Sequence, residues 1–142
     1  MRESVFVDTD VIIDFLIDRE PFSQKSAEVF ALAESERINI YVSSLCFNNI
    51  FYICRKIVGF TKAMDLLQKL ESISEILPVG KITIKQALVA RYTDFEDGIQ
   101  NFTAIQEENI KTIITRNVKD FRKSELVIQT PEEFISRFLA DT

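Results

Sequence analysis

The sequence predicts an α/β domain, a central parallel β-sheet of about five strands flanked by helices, with one domain over residues 1–142. Three observations predict it. Five short apolar runs, "SVFVD", "INIYVS", "EILPV", "KTIIT" and "ELVIQ", alternate with longer segments of helical period, and strands separated by helices build parallel sheets. A chain of 142 residues is one ordinary domain, long enough to bury roughly 70% of the surface its unfolded form exposes. Hydrophobic residues at 46%, with 12 Phe against only 3 Gly and 3 Pro, exclude a disordered or collagen-like chain.

The first strand, "SVFVD", puts Asp8 at its C-terminal end, the edge where open parallel sheets bind ligands. Asp10 follows two residues later, on the same side if the extended backbone persists. An acid here can also cap the helix that starts at "VIIDFL". Asp10 is read as such a cap and Asp14 as part of a solvated helix face. Asp8, directly after apolar strand residues, reads as functional, because a crowded carboxylate that stays ionised needs a cation or strong donors.

After "INIYVS", the series Phe47, Phe51, Cys54 and Val58 marks the buried stripe of a helix beginning at Ser44, and Gly59 stops it. Cys46 and Cys54 lie on that helix, roughly 12 Å apart along its axis and beyond disulfide reach, so they read as free core thiols.

The helical "TIKQALVARY" leads into "DFEDGIQNFTAI", where Asp94 and Asp97 have the spacing of an N-cap and the residue it caps. Phe95, Ile99 and Phe102 are expected to form the buried stripe. Asp97 lies within a turn of it, near the positive end of the helix, and so can face inward. Gly98 costs about 1 kcal/mol against Ala in a helix, which points to close approach of a phosphate or of backbone.

"TRNVKDFRKS" follows the apolar run "KTIIT", so Thr115, Asn117 and Asp120 emerge at another strand end. Arg116, Lys119, Arg122 and Lys123 make this segment either a solvated loop or, beside an acid cluster, a rim that contacts phosphates. In the closing "TPEEFISRFL", Thr130 is the N-cap, Pro131 the first helical residue and Glu133 the partner that completes a capping box.

Composition narrows the chemistry. With no histidine, the chain can form neither a Ser-His or Cys-His pair nor a zinc site with imidazole ligands. Catalysis would rest on carboxylates, amides, hydroxyls, lysine or a metal. A formal charge of −5 argues mildly against a nonspecific nucleic-acid binder, yet a metal-binding acid cluster could account for the whole excess. No apolar run approaches the ~18 residues that cross a bilayer, and the N-terminus begins with acids rather than a signal sequence, so no membrane is expected and the expected address is cytoplasmic.

Taken in order, "VFVDTDVIIDFL", "VSSLCFNNIFYI", "DFEDGIQNFTAI" and "IITRNVKDF", with the final "TPEEFI", resemble the PIN domain over nearly the whole chain. This is a fold of metal-dependent ribonucleases, and the likeness is to small bacterial PIN proteins similar to the VapC toxins of toxin–antitoxin pairs. The resemblance implies acids gathered around Mg²⁺ or Mn²⁺ at the C-terminal edge of a parallel sheet and hydrolysis of an RNA phosphodiester. Asp8 matches the first acid of the pattern and Asp97 the third. The second falls on Asn49 and the fourth on Asn117, while Asp120 matches the acid before the closing Phe with one residue inserted.

On that resemblance, Asp8 and Asp97 are the metal ligands, and Asp120 or Asp94 is a further ligand or a base that positions water. Asn49, Asn117, Thr115 and Glu96 support them, with Asp94, Glu96 and Asp120 the candidates to replace the missing acids. Arg116 and Lys119 would contact RNA, and an antitoxin or a second copy of the chain would be the protein partner. Two alternatives stand beside this reading. One is a PIN fold that has lost catalysis and serves as a binding module, with Asn49 and Asn117 as its evidence. The other is a haloacid-dehalogenase-like phosphatase, because "VFVDTD" also carries Asp-x-Asp after a strand; Val11 stands where that family has Gly, and "DFEDG" follows a helix rather than a strand.

Overall fold

The computed structural model describes residues 2–142. Its elements are β1 (Glu3–Val7), α1 (Thr9–Leu16), α2 (Ser23–Glu34), β2 (Ile38–Ser43), α3 (Ser44–Val58), α4 (Phe60–Ile73), β3 (Glu75–Leu77), α5 (Lys81–Ala90), α6 (Phe95–Ile105), β4 (Ile110–Ile114), β5 (Val127–Gln129) and α7 (Pro131–Ala140). A 3₁₀ turn, Val118–Phe121, lies between β4 and β5. Each of the five apolar runs forms a strand, and the strands pair in parallel in the order β3-β2-β1-β4-β5.

That order makes β1 the centre, with the chain winding outward first to one side and then to the other. Such a reversal leaves a crevice beyond the C-terminal ends of the two strands that flank it, here β1 and β4. Alternation along β1 divides the interior. Val5 and Val7 join Ile12, Phe30, Ile50, Leu70 and Phe134 on one face of the sheet. Phe6, between them, joins Ile113, Tyr92, Ala104 and Phe121 on the other.

On α3 the buried line is Cys46, Ile50 and Cys54, whereas the expected Phe47, Phe51 and Val58 flank it half-buried. The line is displaced because α4 folds back beside α3 and takes one edge of the stripe, Phe51 meeting Phe60 edge-on at 6.0 Å between centroids. Gly59 allows this reversal in one residue, since its φ of +85° lies where a side chain would be strained. Both cysteines are free and buried, and burial pushes the Cys46 thiol up to about 12. The capping box of α7 forms as expected, Thr130 Oγ1 accepting from Glu133 N at 3.1 Å and Glu133 Oε1 from Thr130 N at 2.9 Å. Arg137 then grips Glu3 of β1 through two bonds of 2.8 and 2.7 Å, which docks α7 on the sheet. No described helix is long and apolar enough to cross a membrane.

Candidate active site

Asp8 stands where the crevice begins. Its backbone N–H donates to the carbonyl of Ile114, the last residue of β4, at 2.9 Å, continuing the β1–β4 pairing one residue beyond β1. The chain turns there into α1, and Asp8 is itself the N-cap, Oδ1 accepting from Thr9 N at 2.8 Å. Two other elements reach the same carboxylate. Thr115, just past β4, donates its hydroxyl to Oδ2 at 2.8 Å, and Gln100 of α6 donates Nε2 to Oδ1 at 3.3 Å. With Asp8 only 4% exposed, burial raises its carboxyl above the ordinary range, and these donors pull in the opposite direction.

The start of α6 delivers three more acids. Asp94 caps it, accepting from Asp97 N at 3.3 Å. Asp97 faces inward as expected, buried, with Oδ2 lacking any hydrogen-bond partner. Burial, then the charges of Asp8, Asp94, Asp120 and Glu96, push its carboxyl up to about 8. Glu96 is raised by burial and then by Asp8 and Asp94, and its Oε1 accepts from Asn49 Nδ2 of α3 at 3.0 Å.

The segment after β4 closes the other side. Thr115 is buried and receives Asn117 N at 3.0 Å, while Asn117 Nδ2 reaches across to Asp10 Oδ2 at 3.2 Å. Asp120 lies exposed on the 3₁₀ turn, lining with Asp94, Lys119 and Arg122 an open cavity of about 260 Å³.

Four local expectations are corrected. Asp10 is not the cap, because Asp8 occupies that position; it turns into the crevice, where burial and then Asp8 push its carboxyl up to about 7 and Oδ1 is left without a partner. Asp14 is not solvated but fully buried, receiving Arg19 Nε at 2.8 Å and Arg116 Nε at 2.7 Å. Arg116 is thereby held at Asp14 rather than projecting as a free rim cation. Phe95 is 44% exposed, whereas Ile99 is buried and Phe102 half-buried against the core as expected; the rest of the inward face of α6 is polar, Asp97, Gln100 and Asn101. The close approach at Gly98 is of side chains rather than backbone: a Cβ there would lie 3.3 Å from Tyr92 Cβ and 3.6 Å from Ala87 Cβ, so the glycine lets α6 approach α5.

Sequence reasoning missed Gln100 and Asp10. The signal for Gln100 was its position three residues after an inward acid, which places the two on one helix face.

These donors fit a hard divalent cation. The available atoms are all oxygens, and two buried carboxylate oxygens, Asp97 Oδ2 and Asp10 Oδ1, have no donor. Among the described residues no three acids or cysteines close into a ready-made cage. A cation such as Mg²⁺ needs none, because it is held by one or two carboxylates and keeps waters or substrate oxygens elsewhere.

A doubly wound α/β domain with an oxygen-lined, carboxylate-crowded crevice at its switch point is the class that fold and site define. The PIN domain's sequence profile matches residues 4–119. The chain belongs to the PIN domain family, which removes the phosphatase alternative. It is 28% identical over 141 residues to Ribonuclease VapC1 of Aquifex aeolicus, 96% of each chain being covered. Solved structures share the fold. A chain of VapBC-1 from nontypeable Haemophilus influenzae matches with a TM-score of 0.67 at 17% identity, covering 91% of this chain and 98% of that one. A chain of VapBC2 from Rickettsia felis, solved with a DNA fragment from its promoter, matches with a TM-score of 0.65 at 20% identity, covering 89% and 98%. VapC20 of Mycobacterium tuberculosis, described as a toxin cleaving the sarcin-ricin loop, matches with a TM-score of 0.60 at 15% identity, covering 77% and 86%.

Proposed function

We propose that this chain is a divalent-metal-dependent endoribonuclease, acting in the cytoplasm as the toxin of a toxin–antitoxin pair. The observation that carries the chemistry is the pair of partnerless buried oxygens, on Asp97 and Asp10, both close enough to the buried Asp8 to feel its charge. The relative from Aquifex aeolicus, named a ribonuclease and matched across nearly its whole length, supports the substrate class. Complexes of the VapBC type among the fold's neighbours support an antitoxin as partner; a second copy of the chain is a further proposed contact.

Asp8 and Asp97 would hold Mg²⁺ or Mn²⁺, which when bound activates water and offsets charge on the phosphoryl oxygens. Thr115 and Gln100 fix the Asp8 carboxylate from two sides, so its orientation is set before substrate arrives. Asp94 or Asp120, facing one cavity beside Asp97, would position the attacking water and accept its proton as the water oxygen bonds to phosphorus and the phosphorus–oxygen bond to the leaving nucleotide breaks, the leaving oxygen taking a proton from solvent. Lys119 on the same wall would contact a flanking phosphate.

Two hydrogen bonds support a working site over a degenerate module: Asn49 and Asn117 each donate to an acid brought by a neighbouring element, Glu96 and Asp10. The test is cleavage of a fluorescent single-stranded RNA against Mn²⁺ concentration by the wild type and Asp8→Asn. Metal-dependent cleavage in the wild type alone supports the reading; equal cleavage by both means a contaminating nuclease, and binding without cleavage by either would restore the binding-module alternative.

A further inference from the structure

Next to the carboxylates, joined to them through Asn117, lies a second cavity of about 330 Å³ lined by Phe22, Lys25, Arg116, Asn117 and Pro131 among others. We propose that it takes an unpaired nucleobase next to the scissile phosphate, with Phe22 as the stacking platform. This rests on the ribonuclease reading and adds a specificity-determining residue to it.

The platform explains a part of the sequence that the metal site leaves unused. Phe22 is 40% exposed, an aromatic ring kept partly in water next to an acidic crevice. The Arg116 guanidinium carbon lies 3.9 Å from its ring centroid, a close cation–π stack. Arg116 is in turn fixed by Asp14, receiving Nε at 2.7 Å and Nη2 at 3.4 Å, and Asp14 is fully buried between Arg116 and Arg19. A buried carboxylate with such partners leaves the guanidinium little freedom to turn, so the ring is braced before any ligand arrives.

Location follows from the chain. Asn117 lines this cavity and also donates to Asp10, so the cavity and the carboxylate crevice share a wall. An RNA strand whose phosphate lies at Asp8 and Asp97 would therefore place a neighbouring base at Phe22. Unpaired bases are recognised by stacking on aromatic rings and arginine planes, with their edges left for hydrogen bonds. Thr130 and Glu132, also lining the cavity, offer a hydroxyl and a carboxylate to such an edge. Lys25 is ion-paired only at the surface, to Glu28 at 3.2 Å, and is close enough to meet a phosphate.

The test uses short single-stranded RNAs carrying one 2-aminopurine at varied positions, bound in EDTA so that nothing is cleaved, with its fluorescence reporting stacking. The wild type and Asp8→Asn should both quench the probe at one preferred position. Phe22→Leu should lose that quenching and bind about tenfold more weakly, the scale of one lost base–aromatic stack, while Phe22→Trp should restore both. In Mn²⁺ the loss should fall on KM rather than kcat. If Phe22→Leu quenches, binds and cleaves like a wild type that is itself active, the base site is wrong and the ribonuclease reading stands. If Phe22→Leu leaves RNA unaffected but releases a co-expressed protein partner, the cavity is a protein contact and the proposal fails. A wild type that neither binds nor cleaves any of these RNAs overturns both.

Discussion

Asn49 donates its side-chain amide to Glu96 at 3.0 Å, joining α3 to the first turn of α6 across the mouth of the site. Asn117 repeats the arrangement with Asp10 at 3.2 Å. At both positions where the PIN pattern carries an acid, this chain carries an amide that serves an acid from a neighbouring element.

Restoring the pattern should therefore harm the protein. In Asn49→Glu the new carboxylate faces Glu96 in place of a donor, and like charges in a half-buried site raise both pKa values. Melting temperature in EDTA should fall, and cleavage at saturating Mn²⁺ should fall with it. Asn49→Ala, which removes a hydrogen bond to a charged group without adding repulsion, should cost about 1–2 kcal/mol in urea denaturation. A gain in both stability and cleavage for Asn49→Glu would mean that the metal shell is short of a charge.

The Asp14 cluster makes a graded forecast. Arg116 supplies two contacts to the buried carboxylate and Arg19 one. Arg116→Ala leaves a buried charge with half its partners and should cost about 3–4 kcal/mol; Arg19→Ala should cost visibly less. Urea denaturation of the two variants checks the order, and equal losses would contradict the geometry.

The raised carboxyls set a pH dependence. Burial, with neighbouring acids, pushes the Asp97 and Asp10 carboxyls up to about 8 and about 7 in the folded chain, against an ordinary value of about 3.9. Between those limits the native state holds protons that the unfolded chain has released, so these groups favour folding most below about pH 4, and that advantage is lost as pH rises to about 8. Asp97→Asn removes the larger share. In EDTA its melting temperature should match that of the wild type below about pH 4 and exceed it increasingly from there up to pH 8. A constant gap would mean that Asp97 is not raised.

Much of this was legible in the sequence because the strands are short, apolar and bounded by polar residues, so hydrophobic period alone marks all five, and the site follows from where two of them end. The inward turn of Asp97 was legible for a related reason, since a helix start fixes which side an acid three residues beyond its cap will face. Asp14 was not legible. Its partners, Arg19 and Arg116, come from a loop and from the far end of the chain, and only the three-dimensional contact turns an acid on an apolar helix from a solvated residue into a buried one. Gly98 failed similarly, because what limits its side chain is Tyr92, a packing neighbour from the segment before α6.

The central claim is that Asp8 and Asp97 form a site whose mutual repulsion a divalent cation relieves. The most direct measurement is the melting temperature at pH 8 with EDTA and then with Mn²⁺, for the wild type and Asp97→Asn. Without metal, Asp97→Asn should melt several degrees higher, each 1 kcal/mol being worth roughly 4 °C in a chain of this size. Mn²⁺ at about a hundred times its dissociation constant should stabilise the wild type by about 2.7 kcal/mol and leave the variant nearly unmoved. Equal shifts in both proteins, or a variant less stable than the wild type in EDTA, would contradict the account.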